Sequence, residues 1–146
     1  MELSELEPAD IDLEITESAV MVDPDHCIRL ISLLRDRGYG VSIDDFGTGH
    51  SSLAYLQKLR VSALKIDQAF VKTLASDPNN QKIVRAILSL AKSLGLETVA
   101  EGVEDERAVT LLREWGCDYG QGYGLHRPAP SHDLLHFIEE RQRAPR

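Results

Sequence analysis

Acidic residues recur along this chain beside short apolar stretches: Glu14 and Glu17, Asp44 and Asp45, Asp67 two places after Lys65, then Glu101 and Glu104. Gln121 takes the corresponding place in the last stretch. Carboxylates brought close together repel one another unless something positive sits among them. A cluster of oxygen donors without cysteine, and without histidine at metal-binding spacing, suits hard ions such as Mg²⁺, Mn²⁺ or Ca²⁺ rather than zinc. Lys65 among these acids would orient a water or offset charge developing on a phosphate. The chemistry to which such a set is suited is ion-assisted work on a small phosphorylated ligand.

Each residue alone has a plainer use. A single acid after a strand commonly caps the next helix or faces water. Asp44-Asp45 before Phe46-Gly47-Thr48-Gly49 would also serve as a structural turn. Lys65 alone would be a surface lysine, and Glu101 and Glu104 would favour the start of a helix through its dipole. The joint placement of these residues is what argues for a site.

For the acids to meet, the apolar stretches must be strands of one layer. Residues 12–16 (DLEIT) alternate as a strand does, and 40–44 (GVSID), 63–66 (ALKI) and 97–100 (ETVA) read the same way. The stretch at 118–122 is weaker because of its glycines. Helices are expected between them. One covers 23–37, with Pro24 in its first turn, Ile28, Ile31 and Leu34 on one side, and Gly38 as its stop. A short one is expected at 51–59. Asp77 and Pro78 would open a long helix over 79–94, whose apolar stripe is Ile83, Ile87, Leu90, Ala91 and Leu94, with Gly95 as its cap. Another is expected over 104–115, ended by Gly116. Ser131 would cap a last one carrying Leu134, Leu135 and Ile138, and the polar tail from Arg141 is expected to fray.

Strand and helix in alternation predict an α/β fold with a parallel sheet and right-handed crossovers. The carboxyl ends of such strands share one edge, where ligand sites lie. Asp44 and Asp45 are neighbours, so both reach that edge only if their strand ends there; the loop after them, with two glycines, could move as a gate. A TIM barrel needs eight units and about 250 residues. This chain of 146 residues supplies about five, so a partial, open (β/α) barrel is expected.

Composition bounds the function. Hydrophobic residues make up 42% and charged residues 27%, which suits one globular domain over 1–146. A formal charge of −8 disfavours general nucleic-acid binding through phosphate neutralisation. Cys27 and Cys117 are too few for a disulfide framework or a zinc motif and read as reduced, structural thiols. His132 and His136, four apart on the last helix, read as an exposed face. The start, MELSELEPAD, has no apolar signal region, and no run is long enough to cross a bilayer. A cytoplasmic location is expected.

Five segments then carry a resemblance: LEITES at 13–18, DDFGTG at 44–49, LKID at 64–67, VAEGVE at 99–104 and GCDYGQGY at 116–123. In this order and at these separations they resemble the motifs of the EAL domain family, over about residues 8–139. The resemblance implies a TIM-like barrel that hydrolyses cyclic-di-GMP to linear pGpG with Mg²⁺ or Mn²⁺, two ions in a complete domain. By motif position it implies that Glu14, Asp44, Asp45 and Glu101 are metal ligands. Lys65 and Glu101 would position and activate the attacking water, and Asp67 and Gln121 would support the metal–water or substrate region. Glu104 would border the site, and Glu17 would pin the glycine loop.

The departures set further expectations. The Glu-Ala-Leu tripeptide of the family is absent, and with it one metal-binding glutamate. A metal-binding asparagine is expected to have no counterpart, because the asparagines of the chain, Asn79 and Asn80, are placed at the turn that opens the long helix. His50 stands where a tyrosine is usual, and Arg60 and Ser62 where a proline and an aspartate are usual. The first strands of the barrel are therefore expected to be missing, with weak or no hydrolysis by the chain itself. A non-catalytic module that binds the nucleotide or a protein is the alternative, and an internal start of a longer protein is a third reading. An open sheet with an apolar inner face would also drive a homodimer, or pairing with a partner chain.

Overall fold

The computed structural model describes residues 6–49 and 53–143. Five strands, β1 (Asp12–Thr16), β2 (Gly40–Phe46), β3 (Ala63–Ile66), β4 (Glu97–Glu101) and β5 (Tyr119–Gln121), form one sheet in the order of the sequence. Every neighbouring pair is parallel. Helices connect them: α1 (Glu17–Val22) and α2 (Pro24–Asp36), then α3 (Leu53–Leu56), α4 (Gln68–Val71) and α5 (Pro78–Leu94), then α6 (Glu106–Glu114). The last, α7 (Ser131–Arg143), follows β5 and includes the first three residues of the tail expected to fray. Each strand lies beside its predecessor, and right-handed crossovers repeated in one direction put the connecting helices on one side of the sheet. This is the winding of a TIM-type barrel, present as a five-stranded partial barrel.

The helix-bearing face holds the core. Val41 and Ile43, Leu64 and Ile66, and Ala100 point into it and meet Val20, Ile31, Val71, Val84, Ile87 and Leu112 from the helices. Side chains alternate along a strand, so the other, concave face takes Asp12, Glu14, Ser42, Lys65, Glu97 and Tyr119, among others. The concave face is mostly polar. The expectation of an apolar inner face is thus corrected: most Leu, Ile and Val of the strands occupy the alternate positions on the helix side, while Val99 and Ala63 stand among polar residues on the concave side.

Local chemistry sets the helix ends. Asp77 accepts the Asn79 amide, Pro78 is the first helical residue, and Gly95 closes α5 at φ 69°. The buried stripe of α5 is Val84, Ile87, Leu88 and Ala91, with Leu90 and Leu94 partly buried. Ile83, expected on that stripe, is exposed, because the packed face centres one residue further along. Asp105 caps α6 through the Arg107 amide, so Glu104 precedes that helix instead of opening it. Asp118 ties the far end of β4 to β5: its carboxylate accepts from the amide and hydroxyl of Thr98, at 2.9 and 2.8 Å. Near that edge, the Arg85 guanidinium lies 5.4 Å from the ring centre of Trp115. The helix expected at 51–59 is present as α3, and His50, Ser51 and Ser52 lie outside the described residues. Two short helices, α1 and α4, were not anticipated. Both cysteines are free, Cys27 buried and Cys117 half-buried.

Candidate active site

Lys65 lies in β3, the one strand whose residues are all buried. Its stem is enclosed, leaving the side chain 8% exposed, and its Nζ faces the concave side. There it meets Glu14 Oε1 at 2.6 Å, Glu101 Oε1 at 2.7 Å and Asp44 Oδ1 at 3.3 Å. These acids come from β1, β4 and β2, so one ammonium gathers carboxylates from three strands. Burial by itself would lower the Lys65 pKa; hydrogen bonds to Glu101 and Glu14, with the nearby charge of Asp44, overcome it and hold the pKa well above the usual lysine range. Lys65 is thus the cation of the cluster and its hydrogen-bond donor to Glu14 and Glu101.

Asp44 and Asp45 reach the same region by a device that differs from the expected strand end. Ile43 pairs with Leu64 and Phe46 with Ile66, so the two aspartates together stand opposite Lys65 alone. That is a bulge, and Asp45 takes the left-handed conformation at φ 54°. The strand continues to Phe46, and the extra residue turns Asp45 toward the edge its neighbour already faces. Carboxylate oxygens of Asp44, Asp45 and Glu101 lie within 4.8 Å of one another. A hydrogen bond with Asp67, burial and the charges of Asp44, Asp67 and Glu101 raise the Asp45 pKa. Asp67 is anchored in turn as the cap of α4, accepting the Ala69 amide at 2.6 Å.

Oxygen donors only, within reach of one point and under mutual repulsion, fit a hard divalent cation. Asp44, Asp45 and Glu101 are the residues that would hold it. Glu14, placed with them by motif position, is outside this group and faces Lys65 instead.

The glycine loop after Asp45 is fixed from below. Glu17, 3% exposed at the start of α1, accepts the amides of Gly47 and Gly49 through one oxygen, at 2.9 and 3.2 Å. Gly49 has no room for a side chain, since a Cβ would lie 2.9 Å from the Glu17 carboxylate.

Beyond Glu101 a cavity of about 660 Å³ is lined by Glu101, Glu104, Gln121, Tyr123, Arg127 and Lys72, among others. Lys72 lies 3.7 Å from Glu104, and the Arg127 guanidinium 5.0 Å from the Tyr123 ring centre. A Cβ at Gly122 would fall 2.3 Å from the backbone of Val103, and one at Gly124 2.7 Å from that of Glu104. These glycines let the loop after β5 press on the loop after β4. Sequence reasoning did not find Lys72 or Arg127 as cavity residues; the turn of α4 and this loop contact bring them in, and neither has a periodic signal.

The family model described as EAL domain matches residues 2–128. A bifunctional diguanylate cyclase/cyclic di-GMP phosphodiesterase of Pseudomonas aeruginosa, MucR, is 48% identical over 130 residues, 89% of this chain and 19% of its own length. The chain thus spans about a fifth of that relative. The solved MucR phosphodiesterase, a cyclic-di-GMP complex, superposes with a TM-score of 0.85 over 89% of this chain and 53% of that one. The crystal structure of the EAL domain of Mycobacterium smegmatis DcpA is 42% identical, with a TM-score of 0.84, over 96% of this chain and 62% of that one. Klebsiella pneumoniae BlrP1, in a complex with manganese and the cyclic dinucleotide, is 31% identical with a TM-score of 0.74 over 81% of this chain and 30% of that one.

Proposed function

The chain belongs to the EAL domain family, and from that premise we propose that it is one partial EAL domain whose acid cluster is one side of a metal-dependent site for hydrolysing cyclic-di-GMP to linear pGpG. The observation that carries this reading is the convergence of Glu14, Asp44 and Glu101 on the buried Lys65 ammonium. Asp44, Asp45 and Glu101 would hold Mg²⁺ or Mn²⁺, with Glu14 free to join them once released from Lys65. A divalent ion there supplies polarisation of a phosphoryl oxygen and a more acidic bound water.

The chain's own residues do the rest. Lys65, kept protonated, donates toward the water or a phosphate oxygen and compensates developing negative charge. Glu101 lies beside that donor and offers a carboxylate to receive the water's proton. Asp67 steadies Asp45 from the cap of α4, and Gln121 and Glu104 line the cavity into which the rest of the nucleotide would extend. Glu17 keeps the 47–49 loop in place under the aspartates.

Three carboxylates leave an ion with open positions, and misplacement of about 1 Å can cost ~100-fold in rate. Turnover by the chain alone is expected to be weak or undetectable. Calorimetric titration of cyclic-di-GMP with Mg²⁺, with Mn²⁺ and with a chelator tests the site. Binding that needs the ion and weakens in Glu101→Gln supports it, whereas equal binding in chelator sinks it. The 660 Å³ cavity favours a second reading, a module that holds the nucleotide without cleaving it. Tight binding with no pGpG formed even after the site is completed would select that reading. Either reading carries a cytoplasmic location with it; among the described residues no helix is long and apolar enough to cross a membrane.

A further inference from the structure

A second cavity, of about 640 Å³, lies near the edge of the sheet where the strands begin, away from the acid cluster at their other ends. It runs between α5 and α6 and is lined by Arg85, Leu88, Lys92, Leu96, Glu114 and Trp115, among others. Arg85, Leu88 and Lys92 are three and seven residues apart and so share one face of α5. Two turns of helix separate the cations by about 10 Å along the axis. Leu88 stands between them, and the partly buried Leu96 and Trp115 complete an apolar floor.

The charges of this groove are not balanced from within. The chain carries a net charge of −8, and Lys65, Lys72 and Arg60 are each paired with acids. Arg85 and Lys92 are exposed and form no ion pair among the described residues. The Arg85 guanidinium rests 5.4 Å from the centre of the Trp115 ring, which holds a planar fork of donors at the wall of the groove. Of the acids here, Asp118 is engaged with Thr98, which leaves Glu114 on the α6 side.

We propose that this groove docks an acidic peptide segment of a partner protein, one in which two carboxylates flank an aliphatic side chain. The proposal is independent of the phosphodiesterase reading. Carboxylates three residues apart in a polyproline conformation share one face about 9 Å apart, which matches the spacing of Arg85 and Lys92. The aliphatic residue between them would cover Leu88 and Leu96. Arginine and tryptophan are the side chains that carry much of the energy at such surfaces. Glu114 opposes an acid on the α6 side and so sets the segment against α5.

The probe is the peptide acetyl-Glu-Pro-Leu-Glu-amide, titrated into the full chain and followed by calorimetry and by the emission of Trp115. The expected result is saturable binding that weakens as salt is raised. Affinity should fall roughly threefold to fivefold in Arg85→Gln and in Lys92→Gln. Both side chains are exposed, so neither variant disturbs the core. The same peptide with glutamine for both glutamates should bind about tenfold more weakly. A Kd weaker than about 5 mM for the acidic peptide overturns the proposal. So does unchanged affinity in both variants, or equal binding of the glutamine peptide or of acetyl-Lys-Pro-Leu-Lys-amide. Glu101→Gln should bind the peptide as the parent does; a loss there would place the peptide at the acid cluster and refute the groove.

Discussion

Glu17 holds the amide of Gly47, thirty residues away, at 2.9 Å and that of Gly49 at 3.2 Å, from a position almost closed to solvent. A charged acceptor with two donors contributes more than a neutral hydrogen bond, and its removal leaves the amides without that acceptor. Glu17→Ala should therefore lower stability by about 2–3 kcal/mol, with Glu17→Gln recovering part of it. Urea unfolding measures both. Equal stability of Glu17→Ala and the parent chain would show that the loop does not depend on this carboxylate.

Lys65 is the cation around which three acids are arranged. Lys65→Met removes it and leaves partly exposed carboxylates facing one another, so the cost is smaller than for a fully buried pair, about 1–3 kcal/mol. Mg²⁺ should restore part of this loss by occupying the same field. Thermal melts of both proteins, with the ion and with chelator, check the sign: the ion should raise the melting temperature of the variant more than that of the parent.

Gly122 and Gly95 offer a paired comparison. Gly95→Ala meets open space and costs about 1 kcal/mol for its left-handed backbone. Gly122→Ala places a methyl 2.3 Å from the Val103 backbone and must push the two loops apart. Its cost should be clearly larger, and it should also weaken any ligand that fills the cavity beside Glu104. Denaturation curves of the two variants rank them.

Asp118→Ala removes the acceptor of both the amide and the hydroxyl of Thr98, a residue 2% exposed. The expected loss is about 2 kcal/mol, and Asp118→Asn should recover some of it. Amide exchange would rise first in β5, which is attached to the sheet on one side only.

Cys117 gives a pH-dependent readout. Burial pushes its thiol pKa up, opposed in part by hydrogen bonds with Thr98 and Tyr119. A raised pKa means less thiolate at any given pH, so alkylation should be slower than for a free thiol, with its rate rising at more alkaline pH. Timed iodoacetamide labelling read by mass spectrometry tests this, and a rate at neutral pH equal to that of a model thiol would contradict it.

Much of the fold was legible because local rules set it. The run from Asp77 through Pro78 to Gly95 states a cap, a first turn and a stop, and α5 has those ends. Strand alternation located β1 to β4 to within two residues. What escaped was set by contacts between segments. The bulge at Asp44-Asp45 is a property of pairing between β2 and β3, and neither strand alone encodes it. Glu14 joins Lys65 because the ammonium extends across two strands, a reach that motif position does not express. α1 and α4 are too short for a helical period to emerge, and Ile83 was lost to a one-residue rotation of the packed face. The acids and Lys65 were readable together at the strand ends; that the lysine is buried, with Glu14, Asp44 and Glu101 all meeting its ammonium, was not.

The Arg85–Trp115 contact has a practical consequence. Trp115 is the only tryptophan of the chain, and it sits near the edge of the sheet where strands begin, whereas the carboxylates sit where they end. With the Arg85 guanidinium over its ring, its emission should report whether the scaffold is intact. Ions or nucleotides added at the opposite edge should leave that signal quiet, so fluorescence separates a variant that has lost its chemistry from one that has lost its shape.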